Sequence, residues 1–593
     1  MSDQNKKKQK EASEKSTWCR TPATGEWNEQ NNWVPENVPT GKALFSESEK
    51  AEITFEPTYK ANVGDIEFDP KAPPYCFKFG TAPSRPALTI DGKGVVNNST
   101  NTQSFQVASV GISIEKPQLR FLNAASAGGD NVSYYAGPES LEDGYGGGII
   151  GFWDQSTAGS ASFTVRTGAA KPPGDGPVGA EVNFRHNASA GNATFTIYGT
   201  LGTDGYTFGN VVFNDRATAD HGTFTNAGGT VSGGDGGNTQ FYDHSTAAHG
   251  TFHNFGGTFP KANGGDVAFD GTSNGGNAQF HNRAATVAGA YGGVTSFDNN
   301  PNRPPEKKAT GPSAGQGYFI NYGASEEGQG GGGHTEFTSK YGNPTAANGN
   351  FINYGSVLCD RSSAGHTIFS VSDTEPPNDF FPTAGNGTFW NFPAENKGAA
   401  AGFTEFEVYR KGNSPHVPTA GQGTFYNLGG NTEGAAGGYT IFCGTSTAGD
   451  ATLIASGGSN EGLGGRIAFR DSSSGGGSKV ILMGNGELDL GSHKGPLTIG
   501  TLELTGGIIS MQVGEDPTSL HLSGELLLLS NQVTFFFWKD DRGGFEFNKA
   551  YTILSAPNLS SFTANQFVGN TLDGVQPVFT IEGDELRVSF NQN

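Results

Sequence analysis

The sequence predicts an all-β protein, a parallel β-helix (β-solenoid) with β-rich caps at both ends. Three observations carry that prediction: a doubled phenylalanine anchor that recurs at a fixed interval, glycine inside every unit, and polar columns that keep step with the anchors. The first anchor, A, falls on Phe195, Phe224, Phe252, Phe280, Phe319, Phe351, Phe389 and Phe425, then Leu453. The second, B, falls on Phe184, Phe213, Phe241, Phe269, Phe297, Phe337, Phe369, Phe406, Phe442 and Phe469. Phe224, Phe252 and Phe280 stand 28 residues apart, and the longer units gain their extra length almost entirely between B and the next A. A period of this size marks a repeat architecture. Glycine, 92 of 593 residues, recurs throughout the repeats, where each helix-interior copy would cost about 1 kcal/mol. Around the anchors, β-branched and aromatic residues alternate with small or polar ones, the pattern of strands between glycine turns. One coil per unit, stacked at about 4.8 Å, files the phenylalanines into ladders.

The same geometry accounts for the polar columns. Asparagine follows the A anchor by two residues at Asn226, Asn254, Asn282, Asn321, Asn353, Asn391 and Asn427. Residues i and i+2 of a strand share a face, and stacked amides hydrogen-bond from coil to coil. A second polar column, three residues before A, holds Asn192, His221, His249, Asn277, Gln316, Asn348, Asn386, Gln422 and Asp450, and is also read as structural.

In chain order, residues 1–16 form a polar, lysine-rich tail expected to be disordered. Residues 17–150, with Trp18, Trp27 and Trp33, are read as the N-terminal β cap and first coils, since an open coil end exposes unpaired edge groups. Residues 151–475 are the glycine-rich repeat, 476–530 smoother final coils rich in Leu and Ile, and 531–593 a C-terminal β cap. No stretch approaches the ~20 apolar residues of a membrane-spanning helix. The net charge of −21 argues against nucleic acid or an anionic membrane as partners. Of the four cysteines, Cys19 and Cys76 are the one pair to consider for a disulfide; neither a disulfide framework nor a zinc site is expected.

The A and B phrases, their Ser-Thr-Ala-Gly segments (Ser156–Gly159 and Ser446–Gly449), the WNEQNNWVPENVP opening and the LTIGTLELTGG…YTILSAPNLSSF…LRVSF ending resemble the glycine-rich passengers of bacterial autotransporter-type proteins. The resemblance covers most of residues 17–593 and implies a right-handed β-helix, displayed at or released from a bacterial surface and often adhesive. Two departures accompany it. The start lacks a secretion signal, and the series of ~10-residue strands of a membrane barrel does not follow Phe590, so the export route is not encoded here.

Three candidate sites emerge. The long B-to-A segments follow Phe297, Phe337, Phe369 and Phe406 and would emerge on one side of the coils. They carry Arg303, Lys307, Lys308, Phe380, Phe381, Tyr409, Arg410, Lys411 and His416. Basic and aromatic groups on an acidic protein suit a glycan or an acidic partner, although surface loops also tolerate insertion. Histidines 28 apart, His221 with His249 and His253 with His281, would stack, but their slots hold Asn and Gln in other units, so no metal is expected. Asp154, His186, Asp215 and Asp243 stand two residues after B; carboxylates on neighbouring coils suit a polysaccharide hydrolase or lyase, and equally an aspartate capping a turn. Glycine runs such as Gly233–Gly237 lack a phosphate-loop ending. The expectation is therefore a structural or adhesive extracellular protein without cofactor, binding a glycan or host-surface ligand and open to self-association. A β-helix enzyme using Asp215 and Asp243 and a self-assembling, cytoplasmic fibre or coat component are the alternatives.

Overall fold

The computed structural model describes residues 15–56, 59–80, 87–109, 116–142, 146–169, 179–202, 208–298, 310–339, 342–371, 380–408, 417–514, 518–539 and 544–592. It divides into two units, residues 1–280 with 289–293 and residues 281–288 with 294–593. Each is a parallel β-helix.

In the first unit one turn of chain holds a B strand, a one-residue bridge and an A strand. Asn238–Phe241, Thr246 and Thr251–Asn254 form one such coil. Its neighbours pair without slip: Phe213 with Phe241 and Phe241 with Phe269, Thr218 with Thr246 and Thr246 with Asn274, Phe224 with Phe252. Alternation decides what is buried. In Thr251–Asn254 the phenylalanine and the asparagine point inward, and Thr251 and His253 outward. The Ser-Thr-Ala-Gly segment, which reads as a plain turn, supplies the third ladder: Ala158, Ala190, Ala219 and Ala247 are wholly buried between bridging positions.

Two phenylalanine columns fill the core. Phe195 stacks on Phe224 at 4.7 Å and Phe213 on Phe241 at 4.7 Å, while Phe213 meets Phe224 edge-on at 5.8 Å. Offset stacking along the axis and edge-to-face contact across it are the two favoured aromatic arrangements. The second unit repeats them, with Phe319–Phe351 at 4.6 Å, Phe337–Phe369 at 4.7 Å and Phe337–Phe351 edge-on at 5.8 Å.

The asparagines form the expected ladder. Asn226 donates to the Asn254 carbonyl oxygen at 2.8 Å, and Asn282, Asn321, Asn353 and Asn391 each donate to the next asparagine at 2.8 Å. A threonine hydroxyl of the following B strand donates to the same oxygens, Thr367 to Asn353 at 3.0 Å and Thr440 to Asn427 at 2.9 Å. Burial of these amides is complete, so the partners decide whether they stabilise or cost. Where Ile197 replaces asparagine, Val211 replaces the threonine, and the pair is apolar and buried.

Between A and B the chain does not run straight. Gly237 donates to Ala227 O at 2.8 Å and Gly265 to Phe255 O at 2.7 Å, pinching off the residues between as a fin. The second unit has the same pinch at Gly333, Gly365, Gly402, Gly438 and Gly465. Glycine is required because fins stack backbone to backbone: a Cβ on Gly264 would lie 2.1 Å from Gly292 O. The fins end where Lys479–His493 forms one continuous strand, its start on the A ladder (Leu482 with Ala455) and its middle on the B ladder (Glu487 with Arg466).

The ends differ from the sequence reading in detail. Residues 1–14 of the polar tail lie outside the described residues, but Lys15 and Ser16 belong to a strand, Lys15–Trp18, because Lys15 pairs with Lys42 and Ser16 with Ala43. Trp18, Trp27 and Trp33 are buried together, Trp33 edge-on to each of the others at 5.0 Å. In the C-terminal region, strands Leu497–Ile499, Leu520–Leu522, Ala550–Ser555, Glu585–Phe590 and Pro577–Glu582 form a separate sheet. All four cysteines, including Cys19 and Cys76, are free thiols.

Candidate functional site

The aspartate column lies at the corner after each B strand, where the backbone turns into the left-handed region. Asn123, Asp154, His186, Asp215 and Asp243 have φ between 54° and 58°, and Gly271 takes the next rung at 67°. Asp and Asn tolerate that conformation better than other side chains. The carboxylates also have work there. Asp154 accepts from Asn123 N–H at 3.1 Å, Asp215 from His186 N–H at 2.9 Å and Asp243 from Asp215 N–H at 3.1 Å. The corner amides of Asn123, His186 and Asp215 are thus satisfied by a carboxylate of the following coil, the capping role that the motif allowed.

The histidine pair His221 and His249 stacks on the surface at 5.0 Å, and His221 Nδ1 contacts Asp220 at 2.7 Å. His281 Nδ1 meets Tyr322 OH at 3.2 Å. Among the described residues no group of three His, Cys, Asp or Glu side chains converges as a metal site.

The long segments leave and rejoin at a common corner, from Asp298 to Thr310, Ser339 to Gly342, Val371 to Phe380 and Val408 to Val417. Arg303, Lys307, Lys308, Tyr409, Arg410, Lys411 and His416 lie outside the described residues. Phe380 and Phe381 are half-buried at the root of their segment, where Phe381 N–H donates to Asn343 at 2.9 Å.

The structure adds a site that the sequence reading missed, on the outer face of the B strands in the second unit. Three residues before the B anchors from Phe337 to Phe469, the neighbours in register are His334, His366, Phe403, Tyr439 and Arg466, and Glu487 continues the file. In the first unit the corresponding file, Glu181, Asn210, Asn238 and Asp266, is polar. His334 stacks on His366 at 4.9 Å, His366 on Phe403 at 4.7 Å and Phe403 on Tyr439 at 5.2 Å. Burial pushes His334 down to about 4 and His366 to about 3, the latter helped by the neighbouring His334 and Arg361 charges; both imidazoles are neutral at pH 7.

Arg361, on a fin turn that Asp360 caps, closes over this file. Its guanidinium lies 4.1 Å from the Phe403 ring, donates to Tyr439 OH at 2.8 Å and pairs with Glu405 at 2.6 Å. Burial, then Glu405 and other nearby acids, pushes the Cys443 thiol up to about 12, so it is no nucleophile at neutral pH.

Farther along, where the fins end, the file opens into a groove of about 410 Å³. Its floor carries Tyr439, Arg466, Glu487, Ile508, Ser510 and Phe536, and its rim the fin residues Leu463 and Gly464. Phe536 and Leu463 are 51% and 54% exposed. Arg470 binds Asp489 at 2.7 Å, leaving Arg466 a loose 3.7 Å contact with the same carboxylate. No protein-family model and no curated protein matches the sequence.

Proposed function

We propose that this chain is a structural, adhesive protein of the cell surface or extracellular space, a β-helix whose coils hold glycans against side chains displayed on one face. The observation that carries the reading is a division of labour among its polar groups. The column aspartates, the carboxylates that the sequence offered for hydrolysis, are bonded to corner amides of the neighbouring coil. The side chains left facing solvent in a groove are aromatic, guanidinium and carboxylate groups on consecutive coils, the mixture with which sites for polar ligands are lined. The resemblance to autotransporter-type passengers supports a right-handed coil and a surface location. An acidic partner on the basic loop segments belongs to the same adhesive reading.

The test is retention of the purified chain on a glycan array, with release of reducing ends from the same polysaccharides measured in parallel. Retention without release is expected. Steady release that disappears in Asp215→Asn overturns the reading in favour of an enzyme, and concentration-dependent filaments without glycan retention overturn it in favour of an assembly component.

A further inference from the structure

We infer that the open groove at the end of the fins is a saccharide subsite, in which Arg466 and Glu487 are bridged by ligand hydroxyls and Phe536 packs against a sugar face. The inference rests on the glycan reading above and assigns it to particular atoms. Arg466 and Glu487 are partners in register on adjacent coils. Opposite charges so placed on neighbouring strands ordinarily pair, yet no ion pair joins these two: Arg466 reaches Asp489 at 3.7 Å, and Glu487 accepts from Ser510 at 2.6 Å. Asp489 is satisfied without Arg466, because Arg470 donates to both its oxygens, at 2.7 and 3.4 Å, and Gly491 N–H adds a bond at 3.0 Å. The groove therefore offers donors of a guanidinium beside a carboxylate with acceptor capacity to spare.

A ligand that satisfies both must accept at one point and donate at a neighbouring one. A hydroxyl does either, so vicinal hydroxyls meet the pair; a carboxylate ligand would be repelled by Glu487, and an ammonium by Arg466. The apolar requirement agrees. Phe536 is exposed at the floor and Leu463 at the rim, a wall against which the C–H face of a pyranose packs. The volume of about 410 Å³ lies within the range of small-molecule pockets. Asn485 contributes shape only, since its amide is engaged by Gly458 N–H at 2.6 Å and Gly462 O at 3.1 Å.

The experiment prints neutral and uronate-containing oligosaccharides as an array, then titrates the strongest neutral ligand calorimetrically into the full chain and into Phe536→Ala and Glu487→Gln. Phe536 is half exposed and a glutamine at 487 still accepts from Ser510, so both variants are expected to keep the parent melting temperature. Each should bind at least about tenfold more weakly, the loss of one good contact. Binding by both variants within about twofold of the parent overturns the subsite and leaves the adhesive reading standing. Retention of uronates alone overturns the hydroxyl bridge. No retention of any saccharide overturns the subsite and the glycan reading together.

Discussion

Replacing Asn353 by alanine tests whether the buried amide ladder carries stability or merely occupies the core. Asn353 accepts from Asn321 Nδ2 at 2.8 Å and from Thr367 Oγ1 at 3.0 Å, and donates to Asn391 at 2.8 Å. Alanine removes these three bonds and a fourth, longer one from Asn353 Nδ2 to Thr404 Oγ1 at 3.3 Å. It strands one amide hydrogen of Asn321 and the hydroxyl of Thr367, both in positions sealed from water. Each stranded donor costs about 1–3 kcal/mol, so Asn353→Ala should destabilise by about 4 kcal/mol. Asn427 provides the internal comparison, because Ala455 stacks beyond it and its own amide nitrogen already lacks a partner. Asn427→Ala strands the corresponding groups of Asn391 and Thr440 but removes that unpaired donor, and should be about 2 kcal/mol milder. Urea denaturation of the two variants gives the difference, and amide exchange at Thr388–Asn391 and Thr424–Asn427 locates it. Costs equal within about 0.5 kcal/mol, the usual additivity error, would refute the ladder argument, as would a loss below about 1 kcal/mol at Asn353.

Two further perturbations follow from the same geometry. The stacked imidazoles stay neutral in the fold to about pH 4 for His334 and about pH 3 for His366, whereas in the unfolded chain they protonate near pH 6.5, so stability is held above that pH and lost below it. Replacing His366 by phenylalanine, which continues the stack onto Phe403, should remove about 2 kcal/mol of the loss between pH 6.5 and 4.5; denaturation curves of parent and variant that stay parallel with pH would contradict this. Glycine should have opposite value at two neighbouring places. Gly264→Ala drives a methyl into Gly292 O at 2.1 Å and should cost about 3 kcal/mol. Ala248→Gly, at φ 47°, should gain up to about 1 kcal/mol, both read from melting temperature.

What the sequence made legible was whatever repeats with the coil. The phenylalanine files, the 28-residue step and the asparagine ladder are translations of one unit, and translation survives as periodicity. The third ladder escaped because a single bridging residue such as Thr246 has no alternation to display, and Ser-Thr-Ala-Gly has the composition of a turn. The fins escaped because their closure is a backbone bond from glycine, which leaves no side-chain signature beyond glycine itself. The candidate groove was hidden for the opposite reason. Function on a repeat scaffold sits where a file stops repeating, and the slot three residues before B changes from Asn210, Asn238 and Asp266 to His334, His366, Phe403, Tyr439 and Arg466. A search tuned to sameness passes over that change. The aspartate column shows the converse: Asp215 and Asp243 recur with the coil, and their regularity follows the left-handed corner that Asn123, Asp154, His186, Asp215, Asp243 and Gly271 share. Conformity to the period is thus what builds this molecule, and the proposed subsite draws its groups, Arg466, Glu487 and Phe536, from places where the files depart from it.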